Sequence, residues 1–240
     1  ASFAFSSDDA GASFECALDA GSYGPCTSPK QYSDVAVGAH EFRVRAVDEA
    51  GNRDGSPATH SWTVEAPPTP ACDGTPLTAS ALADSWNGQT AATTNHGGDT
   101  VLRVNARSGQ RDRTLVKFDN PVLGEGCTVA SAKLRLYSST FKSGRTLHAY
   151  RLGGSWAEGG VNWNSQPMPT GAAASAPSRS SAGWVEWTVT AQVQAMYAAG
   201  SNHGFLIRDA NEGGSSNQVQ QFNSRETTSG NAPQLVLTFE

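Results

Sequence analysis

The sequence has little charge: Asp, Glu, Lys and Arg make up 16% of its 240 residues, against roughly 25% in typical soluble domains. It has no long hydrophobic run. No stretch approaches the ~18 uninterrupted apolar residues of a membrane-crossing helix, so membrane insertion is not expected. It has no excess of positive charge either; a formal net charge of -5 lacks the cationic footprint of a nucleic-acid binder. Catalytic signatures are missing. There is no G-x-S-x-G elbow and no H-E-x-x-H pair, and the five histidines (His40, His60, His96, His148, His203) stand scattered. There is no C-x-x-C spacing, which removes a zinc knuckle or a thioredoxin-like centre. The 25 glycines follow no three-residue period, which removes a collagen-like fibre.

What is present divides at one place. Glu65-Ala66-Pro67-Pro68-Thr69-Pro70 sets three prolines within four positions, a stiff extended linker at 66–71. Residues 1–65 carry 4 Lys and Arg against 10 Asp and Glu, while 66–240 carry 13 against 12. The change in sign suggests two modules, 1–65 and 72–240. The four cysteines admit three pairings. One bridge per module gives Cys16–Cys26 and Cys72–Cys127, and such bridges point to an oxidising compartment, secreted or at the cell surface. The chain starts at Ala1, so it is expected to be a piece of a larger multidomain secreted protein, and a monomer.

Module one alternates with period two. Phe42, Val44 and Ala46 point one way and Glu41, Arg43 and Arg45 the other, with Gly21, Gly24-Pro25, Gly38, Gly51-Asn52 and Gly55 breaking the runs. This pattern predicts a small β-sandwich. The order Phe14-x-Cys16-x-Leu18-Asp19, Cys26-Thr27-Ser28-Pro29, Gly38-Ala39-His40-Glu41-Phe42-x-Val44-Arg45-Ala46-x-Asp48-x-Ala50-Gly51-Asn52, Ser56-Pro57-Ala58 and Trp62-x-Val64 resembles the Ig-like repeats of bacterial surface proteins. That resemblance implies a spacer or stalk.

Module two reads as strands at 101–104, 115–118, 132–137, 147–151, 185–189, 205–208 and 235–239. One short helix is expected at 191–199, capped by Thr190 and stopped by Gly200, with Val193, Met196 and Tyr197 on its packed side. The Ala-, Ser- and Gly-rich stretch 171–182 reads as a long exposed loop. The fold class is all-β: an Ig-like β-sandwich followed by a jelly-roll sandwich with one short helix.

Ala83-Asp84-Ser85, Thr94-Asn95-His96-Gly97, Leu102-Arg103-Val104, Leu115-Val116-Lys117-Phe118-Asp119 and Ala132-Lys133-Leu134-Arg135-Leu136-Tyr137 occur in order. Ser155-Trp156-x-Glu158-x-x-Val161-Asn162-Trp163-Asn164-x-x-Pro167, Trp187-Thr188-Val189-Thr190, His203-Gly204-Phe205, Phe222-Asn223-Ser224-Arg225-Glu226 and Pro233-x-Leu235 follow. Together they resemble a DNRLRE domain, the disaggregatase-related jelly roll. That domain is similar to carbohydrate-binding modules associated with alginate-type polysaccharides. The resemblance implies a non-catalytic unit that binds a polysaccharide or surface glycan, including acidic ones, or serves in adhesion. Trp86 stands where the family often has Tyr.

Sugar binding needs aromatic faces for stacking and planar polar groups for hydroxyls, and Arg suits a uronate carboxylate because its fork is bidentate. The candidates are Trp86, Arg103, Arg107, Arg111, Arg113, Tyr137, Trp184 and Arg225. Arg107–Arg113 is the densest positive run, either a sugar-facing patch or a solvated hairpin. Trp86 and Trp184 are either exposed or packed, and Trp156, Trp163 and Trp187 are read as core. A structural Ca²⁺ is expected from Asp84, Asn95, Asp99 and Glu226, oxygen donors near the two ends of the module. Glu158, Glu186, Asp209, Glu212 and Glu226 are available for glycoside hydrolysis, but nothing sets two of them across a sugar, and no enzyme is expected. The competing reading is a purely structural stalk that binds protein or nothing.

Overall fold

The computed structural model describes every residue except Ala10, Asp34 and 66–70, so all of the expected linker but Ala71 lies outside the described residues. The chain divides into two units, Ala1–Pro68 and Thr69–Glu240.

The first unit holds β1 (Ser2–Phe3), β2 (Ser13–Leu18), β3 (Gly24–Cys26), β4 (Lys30–Gln31), β5 (Gly38–Val47) and β6 (Ala58–Val64). Strands β3-β2-β5-β6 form one antiparallel sheet, and β1 pairs with β4. Strand alternation carries Phe42 and Val44 to one face. There they pack with Cys16 against Phe3, Phe5, Phe14, Tyr32 and Trp62. Phe3 stacks on Phe42 with ring centroids 4.4 Å apart, so β1 closes over the sheet. The Cys16–Cys26 disulfide ties β2 to β3 beside this core.

The second unit holds β7 (Leu77–Ser80), β8 (Ala83–Gly88), β9 (Val101–Val104), β10 (Asp112–Lys117), β11 (Val129–Thr140), β12 (Thr146–Leu152), β13 (Pro169–Pro177), β14 (Gly183–Thr188), α1 (Thr190–Ala198), β15 (Phe205–Asp209), β16 (Gln220–Asn223) and β17 (Gln234–Phe239). One sheet runs β13-β12-β15-β10-β8. The other runs β7-β17-β11-β16-β9, with β14 also paired to β11. The two face each other across a single core. Val116, Leu147, Phe205 and Ile207 come from the first sheet, and Leu134, Trp187, Phe222 and Phe239 from the second. Each such buried side chain contributes about 1.5–3 kcal/mol relative to exposure. The module is therefore a β-sandwich, with Cys72–Cys127 as its own disulfide.

Two local readings change. Residues 171–177 of the expected 171–182 loop belong to an edge strand: β13 pairs with β12, and Ala174 and Ala176 are buried opposite Ala149 and Leu147. Small side chains fit there because the opposing sheet is close, and the poor strand preference of Ala is overridden by pairing. The helix forms as expected, but Val189 is its N-cap residue and Thr190 makes no cap. The Thr190 hydroxyl instead accepts the Ala132 backbone N–H at 3.0 Å, pinning the helix start to β11.

Strands β8 and β9 are the last strands of their respective sheets, and β10 returns to the first. The connections 89–100 and 105–111 therefore cross between sheets along one open side of the sandwich. That side carries the Arg107–Arg113 run.

Candidate functional site

A cleft of about 240 Å³ opens between these edges, lined by Trp86, Arg103, Asn105, Gln110, Asp112 and Asn217 among others. Its floor is polar. The Asn105 Nδ2 donates to the Gln110 carbonyl at 2.9 Å, and its Oδ1 accepts the Gln218 N–H at 3.0 Å, so one buried amide holds both bordering loops. The Arg103 guanidinium lies 3.3 Å from an Asp112 carboxylate oxygen, and its Nε is buried without a partner. Burial pushes the Asp112 carboxyl up, against the opposing pull of Arg103 and His96. Gly88 lines the same cleft; a Cβ there would meet Trp86 at 3.0 Å and Asp112 at 3.2 Å.

Trp86 is a wall of this cleft. His96 stacks on it at 3.6 Å, Arg103 lies 4.8 Å from its ring, and only 8% of the residue is exposed. Its Nε1 donates to Asp99 Oδ2 at 2.8 Å, and Asp99 also holds His96 Nδ1 at 3.0 Å. Arg107 reaches the rim, where it donates to Gln110 Oε1 at 3.2 Å.

The other candidates lie elsewhere. Arg111 donates to Gln89 Oε1, and Arg113 is paired with Glu212 at 2.7 Å; both guanidinium groups sit over Trp163, at 5.9 and 4.8 Å. Trp163 is thus half-buried beneath arginines and stands outside the core in which it was expected, whereas Trp187 is fully buried. Tyr137 and Trp184 meet edge to face on the outer side of the β11 sheet. Trp184 borders a groove of about 740 Å³ with Arg135, Arg179 and Glu186, and Arg135 lies 4.5 Å from its ring.

Arg225 belongs to a third place, a carboxylate cluster. Asp84 on β8, Glu158 from the loop between β12 and β13, and Glu226 after β16 bring carboxylate oxygens within 4.8 Å of one another. Arg225 Nε lies 2.9 Å from Glu158 Oε1 and 2.8 Å from Glu226 Oε1. Burial pushes the Asp84 carboxyl up to about 8; the Arg225 backbone N–H lowers it, and the Glu226 and Glu158 charges add to the rise. The expected oxygen set Asp84, Asn95, Asp99 and Glu226 does not assemble as a whole. Asn95 turns its amide nitrogen to the Glu158 and Val161 carbonyls at 2.6 and 2.7 Å and so positions the Glu158 turn. Asp99 is engaged with Trp86 and His96. Glu158 takes their place. Its signal was present in the Trp156-x-Glu158 motif, but 74 residues separate it from Asp84. Gly97 allows the approach, since a Cβ there would lie 2.4 Å from the Glu158 carbonyl oxygen.

Residues 75–239 match the model of carbohydrate-binding module family 96. The chain belongs to this family. No curated protein matches it. A solved structure described as the structural basis for the promiscuous specificity of carbohydrate-binding modules from the β-sandwich superfamily aligns at 12% identity, covering 97% of this chain and 87% of that one, with a TM-score of 0.22. The two-sheet sandwich rests on the strand pairing itself. In this family-96 module the Trp86–Arg103 cleft, the Trp184 groove and the Asp84 cluster are the three places where the candidate residues gather. Among the described residues no helix is long and apolar enough to cross a membrane.

Proposed function

We propose that the family-96 module binds an anionic polysaccharide of the uronate class in the Trp86–Arg103 cleft without altering it. One observation carries the reading. Arg103 lines a cleft with Trp86 as one wall and the planar polar groups of Asn105, Gln110, Asp112 and Asn217 beside it, and its Nε lacks a partner. A guanidinium is the side chain best shaped for a carboxylate, and an unmatched buried donor is what a ligand oxygen would satisfy. Arg107 at the rim adds a second positive charge. The cleft is smaller than the roughly 300–1,000 Å³ of drug-sized sites, so it fits one sugar ring with the polymer running on outside. Asp112 beside Arg103 reads the hydroxyls. The resemblance of this module to DNRLRE domains and the two disulfides fit a secreted or cell-surface protein. The Ig-like resemblance of the first unit fits a spacer within a longer adhesive or glycan-bound chain.

The test is affinity electrophoresis and calorimetry with alginate, pectate and a neutral β-glucan. Binding should be confined to the acidic polymers, with no release of reducing ends. Arg103→Ala should weaken it at least about tenfold, a loss of about 1.4 kcal/mol, and should also lower melting because the buried Asp112 loses its counter-charge. Arg103→Lys, which keeps the charge but not the fork, should weaken binding with melting less affected, and Arg107→Ala should weaken it less. Trp184→Ala and Arg135→Ala, in the other groove, should leave affinity intact. Loss of binding in those two with retention in Arg103→Ala would move the site to the Trp184 groove. Binding of no glycan would leave the stalk reading.

A further inference from the structure

We propose that Asp84, Glu158 and Glu226 form a divalent-cation site of the Ca²⁺ type. Each carboxylate has one oxygen in use and one free. Asp84 Oδ2 accepts the Arg225 backbone N–H at 2.7 Å, while Oδ1 is buried without a partner on a residue only 1% exposed. Glu226 Oε1 faces Arg225 Nε at 2.8 Å, while Oε2 is again buried without a partner. Glu158 Oε1 accepts the Asp84 backbone N–H at 2.8 Å and faces Arg225 Nε at 2.9 Å, and Oε2 is in no hydrogen bond among the described residues. Arg225 therefore engages one oxygen of each carboxylate and leaves the second oxygen of each without it.

Charge leads to the same conclusion. Three carboxylates meet one guanidinium, whose remaining reach goes to the Leu82 carbonyl at 2.9 Å. Buried anions in excess of their counter-charges are retained only with a further cation or a proton. Oxygens within 4.8 Å of one another can share one Ca²⁺, whose ligands lie at about 2.3–2.6 Å, so two on opposite sides are about 5 Å apart. The donor set is oxygen only, which selects a hard cation over zinc or copper. The ligands also come from separate parts of the fold: β8 of one sheet, the segment after β16 of the other, and the loop carrying Trp156 and Trp163. One ion would fasten that loop to both sheets. Water and further ligands can enter from the side of Glu158 and Glu226, whose side chains keep 22% and 24% of their exposure.

The assignment does not rest on the glycan reading. The test uses the full chain, stripped with EDTA and exchanged into chelator-free buffer. Calorimetric titration with CaCl₂ should show one saturable site per chain, and Ca²⁺ should raise the melting temperature by several degrees, as binding to the folded state alone requires. Glu226→Gln keeps an oxygen for Arg225 and should fold, yet lose the calcium-induced rise; Asp84→Asn should lose it too. Two results would overturn the assignment: no saturable heat and no melting shift in the unaltered chain, or a full calcium shift surviving in both variants. A proton held by Asp84 alone would give the first of these.

Discussion

His40 shows how one side chain sets the response of a small unit to acidity. Its Nδ1 lies 2.9 Å from Asp19 Oδ2 and its Nε2 lies 2.7 Å from the Ala36 carbonyl, so both ring nitrogens face acceptors. The Asp19 hydrogen bond, followed by that of Ala36, holds the imidazole above its usual 6.5. The Glu41 backbone N–H, followed by His40, holds the Asp19 carboxyl below its usual 3.8. A raised histidine contributes stability in full below 6.5 and loses it as pH rises through the folded value. A lowered carboxyl contributes above 3.8 and loses it as pH falls through the folded value. The first unit should therefore be most stable between these two limits and melt progressively lower as the pH rises above 6.5. Scanning calorimetry over that range should show the decline, and His40→Asn should flatten it. The sequence showed His40 only as one of five scattered histidines. It did not show Asp19, because the pairing is made by the register of β2 and β5 and the turn that follows β2.

At the scale of elements, period-two patterns were legible wherever one face is wet. In β11, Ala132, Leu134 and Leu136 are buried while Lys133 and Arg135 point out, as their alternation predicts. β13 was illegible because its Ala, Ser and Gly residues carry no alternation of polarity; only the neighbouring β12 makes it a strand. The helix end was legible. Gly200 has a φ of +59°, its N–H donates to the Tyr197 carbonyl, and the Ser201 N–H donates to the Met196 carbonyl, the paired bonds of a Schellman stop. The helix start was not, because Thr190 serves the tertiary contact to β11. α1 is held mainly by Val193 and Met196, both buried in the sandwich core. Met196→Ala should cost about 2–5 kcal/mol by leaving a cavity there, measured by urea unfolding followed through the second unit's signal. An effect well below that range would show the helix to be peripheral.

For the whole molecule, each unit has its own hydrophobic core and its own disulfide. The negative charge sits in the first, while the second is near balance, with Arg103, Arg107, Arg111 and Arg113 at one edge of the sandwich. All three clusters of candidate residues belong to the second unit. A chain shortened to residues 71–240 should therefore fold and bind acidic polysaccharide with the affinity of the full chain, as calorimetry on both would show. Lost affinity in a folded short chain would assign part of the site to the first unit.

The sequence by itself determined the all-β class and the presence of an arginine-rich turn, since each follows from local periodicity or local composition; it suggested two modules and, on that division, one of three possible cysteine pairings. Only the tertiary structure decided which of those residues share a site. It set Arg103 and Trp86 across an edge between two sheets, sent Arg113 to Glu212 and Tyr137 to Trp184, and brought Glu158 to Asp84 and Glu226 in place of Asn95 and Asp99. Such meetings depend on sheet order and loop path, which couple residues far apart in the chain and leave no mark on the pattern around any one of them.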